Sequence, residues 1–196
     1  MGDMHKILFP LLCLIPSLLH AEDRTSPVFI DPTIQSYDGL FSHKLSTQFF
    51  VGEVIDKRAD VPSDTLGMTR TGRNSSAPIV TRVTPAALLK NSIEGMLREL
   101  SALSTEKSGA AYMIQAEVLS FEIIETNKTF SQEIRAKLGF RVKIRSAAND
   151  ELLKQFIITS EDVRKALDTT KFAETVASNA ILTGLVNMLE SLAWMK

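Results

Sequence analysis

The side chains that enzymes use for nucleophilic or metal-dependent chemistry are scarce in this 196-residue sequence. It contains one cysteine, Cys13, and three histidines, His5, His20 and His43. Because three of these four residues lie within the first 21 positions, only His43 remains further along the chain. A Ser-His-Asp triad would have to use His43, and one imidazole cannot build a multi-histidine zinc site. We therefore predict a protein that is not an enzyme and that needs no cofactor or metal.

The remaining candidates for acid–base chemistry follow the first strong β pattern of the sequence. They are Asp56, Arg58, Asp60, Asp64, Arg70 and Arg73. Residues 59–82 combine glycine, proline and polar residues, which predicts a long loop. Loops of this length are uncommon in compact domains, so a mobile functional loop and an ordinary surface loop are both open interpretations. A hydrolase that uses these carboxylates is the enzymatic alternative.

A basic stripe is the clearest candidate for a binding surface. Five cations alternate with apolar residues between positions 134 and 145: Arg135, Lys137, Arg141, Lys143 and Arg145. Since side chains i and i+2 of a strand point to the same face, the cations share one face. Such a face could bind anionic lipid or an acidic envelope protein. The alternative is a solvated face whose cations pair with nearby glutamates: Glu117, Glu122, Glu125 and Glu151.

Proteins that bind nucleic acid rely on a large positive charge. The net charge of −1 therefore argues against nucleic acid as a partner.

The N-terminal segment has the organisation of a secretory signal peptide. A short start with Lys6 precedes the apolar run Ile7–Leu19, and the small residue Ala21 precedes polar residues. We predict cleavage after Ala21 and an exported, periplasmic or envelope-associated protein. Lipidation at Cys13 is disfavoured because bulky leucines precede it and the apolar run continues beyond it. Retention of the segment as an anchor is the open alternative.

The rest of the chain reads as an extended lead or tether over residues 22–44 and one domain over residues 45–196. Strand patterns are predicted at residues 49–55, 112–123, 134–145 and 152–159. In the second strand the apolar residues change from even to odd positions, which indicates a bulge near Val118–Leu119. Helices are predicted from Thr84 to Leu100 and from Lys171 to Trp194, with a short turn at residues 162–167 between the last strand and the last helix. The predicted fold is α+β, with two helices on one face of a mixed four-stranded sheet. The predicted order along the chain is a strand, a helix, a meander of three strands and the last helix.

The last helix is apolar around much of its circumference in its second half. Leu182, Val186 and Trp194 lie outside the stripe that one sheet would cover. This pattern favours a core helix with a partly covered flank, or a surface for a partner or for homo-oligomer formation.

The order of these patterns resembles the YajG-type family of bacterial envelope lipoproteins and, more loosely, the auxiliary lipoproteins of ABC-type transport systems. The similar parts are Val51-Gly-Glu-Val-Ile-Asp-Lys-Arg58, the helix from Thr84, the segment Phe156–Ser160 and the final Ala/Val/Leu-rich helix. The resemblance implies an outer-membrane or periplasmic accessory role without catalytic residues. The sequence departs from this family because it has no cysteine at the lipidation position. We expect a non-catalytic envelope binding module, with a lipid-handling transport component as the alternative.

Overall fold

The computed structural model describes residues 26–34, 37, 45–70, 76–127, 131–166 and 170–193. The predicted signal peptide, His43, Arg73 and Trp194 lie outside these residues. Strands and helices are numbered in chain order below.

Three long antiparallel strands form the main part of the sheet. They are β6 (Tyr112–Asn127), β7 (Gln132–Ser146) and β8 (Leu152–Ala166). Alternate residues of β7 from Ile134 to Ile144 are at most 2% exposed, because this face of the strand lies against the core. The residues between them point to the opposite face.

The other edge of β6 is shared by two groups of strands. Its first half pairs in parallel with β2 (Phe49–Asp56), which also pairs with the short strand β5 (Leu103–Ser104). Its second half pairs in parallel with β3 (Thr65–Arg70), and β4 (Ser76–Thr81) and β1 (Val28–Ile30) continue the sheet from there. The result is a mixed eight-stranded sheet that does not close into a barrel.

Two helices cover one face of the sheet. Helix α1 (Pro85–Glu99) packs on β2 and β6, and helix α2 (Ala173–Leu192) packs on β7 and β8. Thr84 caps α1, since its side-chain oxygen accepts from the backbone N–H of Ala87 at 3.3 Å, and Pro85 occupies the first turn. Within the described residues, no helix is long and apolar enough to cross a membrane.

The α+β class, the mixed sheet and the two helices are confirmed, and so are the parallel β2–β6 pair and the bulge, which lies between Val118 and Ser120. Over the described ranges the sheet has eight strands rather than the four predicted. One reason is that the predicted lead contributes β1, whose short Val-Phe-Ile sequence carries little periodicity of its own.

The predicted long loop over residues 59–82 is wrong, because half of these residues lie in β3 and β4, which pair antiparallel. Glycine and proline interrupt the alternation of both strands, so local pattern hides them. The predicted turn at residues 162–167 is also wrong over residues 162–166, which belong to β8. Ser160, which precedes the predicted turn, donates its buried hydroxyl to the carbonyl oxygen of Ala180 at 2.7 Å.

Candidate functional site

The candidate site is the face of β6, β7 and β8 that points away from the helices, called the open face here. No described helix or strand packs against it. The strand registers place its side chains as follows: Gln115, Glu117, Ser120, Glu122 and Ile124 on β6; Arg135, Lys137, Gly139, Arg141, Lys143 and Arg145 on β7; and Gln155, Ile157, Thr159, Glu161 and Val163 on β8. All five cations of the predicted basic stripe therefore share one surface.

Glu117 holds two of these cations. Its carboxylate accepts from Nη1 of Arg141 at 2.6 Å and from Nζ of Lys143 at 2.5 Å, and its side chain is 14% exposed. The hydrogen bond from Lys143 lowers the pKa of Glu117, desolvation opposes it, and the bond from Arg141 lowers the pKa further. Glu117 is therefore an ionised bridge across two strands and is unsuited to donate a proton near neutral pH.

Arg135 and Arg145 are also engaged within the fold. Arg135 lies 2.9 Å from Glu133 on its own strand and 3.1 Å from Glu161 on β8. Arg145 donates to the side-chain oxygen of Gln115 at 2.9 Å and to the backbone carbonyl of Asp150 at 2.7 Å. These contacts restrict the cations that the stripe can offer to a partner.

The acidic partners differ in part from those expected. Glu117 pairs as predicted, whereas Glu125 accepts from the hydroxyl of Thr69 on β3. Glu133 and Glu161 were not anticipated as partners of the stripe. The register of β8 past residue 160 was the missing information, since it brings Glu161 opposite Lys137 and beside Arg135.

A polar notch interrupts the open face at Gly139. A Cβ atom at this position would lie 2.6 Å from the hydroxyl oxygen of Ser120, so the missing side chain leaves room for the bulged part of β6. The adjoining cavity measures about 320 Å³ and is lined in part by Glu122, Lys137 and Thr159. This notch presents hydroxyl and charged groups together.

Apolar side chains are also exposed on the open face. Met68 on β3 and Ile124 on β6 are register partners and are 49% and 38% exposed. Ile157 on β8 is 56% exposed. The face thus combines nearly balanced charges with apolar residues, which is the composition of many protein–protein interfaces.

Arg58 and Asp56, the last residue of β2, form a clamp between strands. Arg58, whose side chain is 3% exposed, binds both carboxylate oxygens of Asp56 through Nε and Nη2 at 2.9–3.1 Å. Its Nη1 donates to the carbonyl oxygens of Thr65 at 2.7 Å and Phe121 at 3.3 Å. The guanidinium group therefore ties β2, β3 and β6 together at the point where β6 changes partners.

The electrostatics of this clamp argue against a catalytic acid. Desolvation by burial raises the pKa of Asp56, but the hydrogen bonds and charge of Arg58 outweigh it and hold this pKa below its usual value. Asp60 and Asp64 are exposed, and Arg70 ends β3. Within the described part of the chain, no three histidine, cysteine or acidic residues are arranged to hold a metal ion.

Two residues of the predicted partner face of the last helix, Leu182 and Val186, are described. Leu182 is half-buried and lines a cavity of about 350 Å³ together with Thr33, Ile34 and Glu174. Val186 is also half-buried. Trp194, the third residue of this predicted face, lies outside the described residues.

No protein-family model matches the chain, and no curated protein matches its sequence. Solved structures of similar fold include a DUF330 protein from Xanthomonas campestris, with a TM-score of 0.56 and 10% identity over 84% of this chain and 92% of that chain. A protein from Chlamydia trachomatis has a TM-score of 0.43 and 12% identity over 75% of this chain and 96% of that one. A minor lipoprotein from Acinetobacter baumannii has a TM-score of 0.38 and 10% identity over 75% and 95%. The similarity to the Xanthomonas protein shows a shared fold.

Proposed function

We propose that this chain is a non-catalytic accessory protein of a bacterial cell envelope, and that it binds a partner protein through the open face. The observation that carries the proposal is the uncovered surface of the three longest strands, with its exposed Ile124 and Ile157 among paired charges. The signal-like N-terminal segment supports the envelope assignment.

The charge pattern favours a protein over a membrane as the partner. The five cations of the open face lie among Glu117, Glu122, Glu133 and Glu161. The potentials of opposite charges a few ångströms apart largely cancel at longer distances, and salt screens the remainder beyond a Debye length of about 8 Å. The face therefore attracts anionic lipid only weakly. A protein surface can match the pattern charge by charge at short range.

Export is part of the same proposal. We propose that residues 1–21 are removed after Ala21, that Cys13 is not lipidated, and that the relationship is to YajG-type envelope proteins. Mass spectrometry of the protein purified from its native organism tests the processing. A mature chain that begins at Glu22 supports the proposal, whereas a chain that begins at Met1 or carries acyl groups on Cys13 contradicts it.

Partner binding is tested by a charge exchange on the open face. The double variant Glu122→Lys with Lys137→Glu reverses two residues that are directly opposite on β6 and β7. It keeps the net charge and the pair between positions 122 and 137, and it makes position 137 acidic opposite Glu161. We expect this variant to lose at least about tenfold of the partner that copurifies with the wild type from the envelope.

The matched control is the exchange Lys90→Glu with Glu94→Lys, which reverses an exposed ion pair of 3.9 Å on α1. It should retain the partner. Equal recovery with both exchanges would contradict the proposal. Tight binding of the wild type to vesicles of phosphatidylethanolamine and phosphatidylglycerol, abolished by the open-face exchange, would instead support the lipid-handling alternative.

A further inference from the structure

We propose that two copies of this chain pair through strand β8, antiparallel and about a two-fold axis at Ile158, to form one continuous sheet. Among the described residues, β8 pairs only with β7, so a 15-residue strand has one edge without a ladder. The open face remains uncovered in such a dimer. The proposal is therefore independent of the partner protein argued above.

β8 lacks most features of a protected edge. Natural edge strands are short or carry proline, bulges or charged side chains that hinder pairing with another chain; β8 is long, and its charges can be matched by those of a second copy. β8 contains no proline. Of the seven large apolar residues that are exposed in the described part of the chain, three lie on it: Leu152, Leu153 and Ile157. Its register irregularity is confined to the Leu152 end, where the pairing shifts between Ile144 and Arg145 of β7, so Lys154–Ala166 is regular.

The charges of β8 are self-complementary in one register. In a pair centred on Ile158, residues equally distant from it lie opposite one another, because the axis keeps each face on its own side. Lys154 then faces Asp162 of the second copy, and by symmetry this opposite-charge pair occurs twice. Gln155 lies opposite Glu161 in the same register.

Neighbouring registers lack this match. A pair centred on Thr159 places Lys154 opposite Arg164, so two like-charge pairs repel. A pair centred on Ile157 places Lys154 opposite Ser160 and Asp162 opposite Leu152, so the opposite-charge pair between the two copies is lost. The edge sequence therefore favours a second copy of itself in a defined register over an arbitrary strand.

The local contacts of the edge are compatible with this exchange. Nδ2 of Asn187 approaches the carbonyl oxygen of Thr159 at 3.5 Å, the limit of a hydrogen bond. A ladder bond from the second strand would replace this long contact. Lys154 and Asp162 are half-buried, bonded to Ser191 and Asn179 respectively, so their positions are defined before pairing.

Cysteine pairs test the register directly, in the full chain with Cys13→Ser. We mix the single variants Ile157→Cys and Thr159→Cys, which the proposed register places opposite one another, and oxidise them gently. The control mixture combines Ile157→Cys with Glu161→Cys. We expect the first mixed disulfide to form at least about tenfold more than the second, because only directly opposite residues bring Cβ atoms within bonding range.

Sedimentation measures the charge match. Lys154→Asp should weaken the dimer at least about tenfold, and the exchange Lys154→Asp with Asp162→Lys should restore it. Circular dichroism confirms that each variant is folded. A monomer at every concentration, equal yields of the two disulfides, or a monomer that adds an envelope peptide to β8 instead would each overturn the proposal.

Discussion

Replacing Arg58 by alanine should destabilise the fold more than any surface substitution, because this guanidinium joins three strands. It makes paired bonds to Asp56 at 2.9–3.1 Å and reaches the carbonyl oxygens of Thr65 at 2.7 Å and Ser63 at 3.1 Å. The arginine side chain is 3% exposed, whereas that of Asp56 is 22% exposed. Truncation therefore leaves a poorly hydrated carboxylate and backbone acceptors without their donor.

The magnitude follows from these exposures. Breaking a buried ion pair by removing one member costs about 3–5 kcal/mol. The partial exposure of Asp56 lets water reach the carboxylate, so we expect the lower end, about 3 kcal/mol of unfolding free energy. For a domain of this size, that loss corresponds to a fall in Tm of about 6–12 °C.

Urea unfolding monitored by circular dichroism measures the change, and Arg164→Ala is the matched control. Arg164 is 51% exposed and lies 3.6 Å from Asp162, so its removal should change the unfolding free energy by less than about 0.5 kcal/mol. The double variant Asp56→Ala with Arg58→Ala should cost less than the sum of the two single changes, because the partners are coupled. A loss below about 1 kcal/mol for Arg58→Ala would refute the clamp.

Three further predictions concern other parts of the fold. Gly67→Ala should cost about 2–3 kcal/mol in urea unfolding, since its Cβ would overlap a backbone carbonyl oxygen of β6, whereas Gly52→Ala meets only a flexible methionine and should cost less. Glu117→Gln should cost about 1 kcal/mol at pH 7. Because the pKa of Glu117 is lowered in the folded state, its ion pairs stabilise the wild type above the unfolded pKa, and this stability is lost as the pH falls through the folded pKa. The unfolding free energies of the variant and the wild type should therefore converge in acid. A difference that persists in acid would contradict the role of ionised Glu117. Ser160→Ala should cost about 1 kcal/mol, read from the unfolding midpoint, because the carbonyl oxygen of Ala180 loses a buried donor.

Sequence reasoning succeeded where the pattern was local and regular. The alternation along β7 predicted its buried face, and Thr84-Pro85 predicted the start of α1. The parity switch at Val118–Leu119 predicted the bulge, because a side-chain period of two cannot change faces without an extra residue. These features depend on few long-range contacts.

It failed where distant contacts outweigh local preference. The hairpin of β3 and β4 contains Gly67 and Pro78, and its position depends on pairing with β6 and on bonds from Arg58. The polar end of β8 has the sequence of a turn. Its backbone is nevertheless extended, because Ser160 and Asp162 form hydrogen bonds with α2. Polar residues that find partners in α2 carry no periodic signal.

The candidate site shows the same division. Alternation alone placed the five cations on one face, but the pairing of Arg135 with Glu161 required the register of β8. The Asp56–Arg58 motif was predicted as part of a functional loop, and its contacts with the strands were not predicted. A short charged motif at the end of a strand does not by itself distinguish these roles.

The measurement that tests the binding surface most directly is photo-crosslinking in intact cells of the native organism. A photoreactive residue at position 122, exposed on the open face, is compared with one at position 99, exposed on α1. We predict a discrete adduct with one envelope protein from position 122, in at least about tenfold greater yield than from position 99. Equal yields from the two positions, or adducts with lipid alone, would contradict a protein partner on the open face.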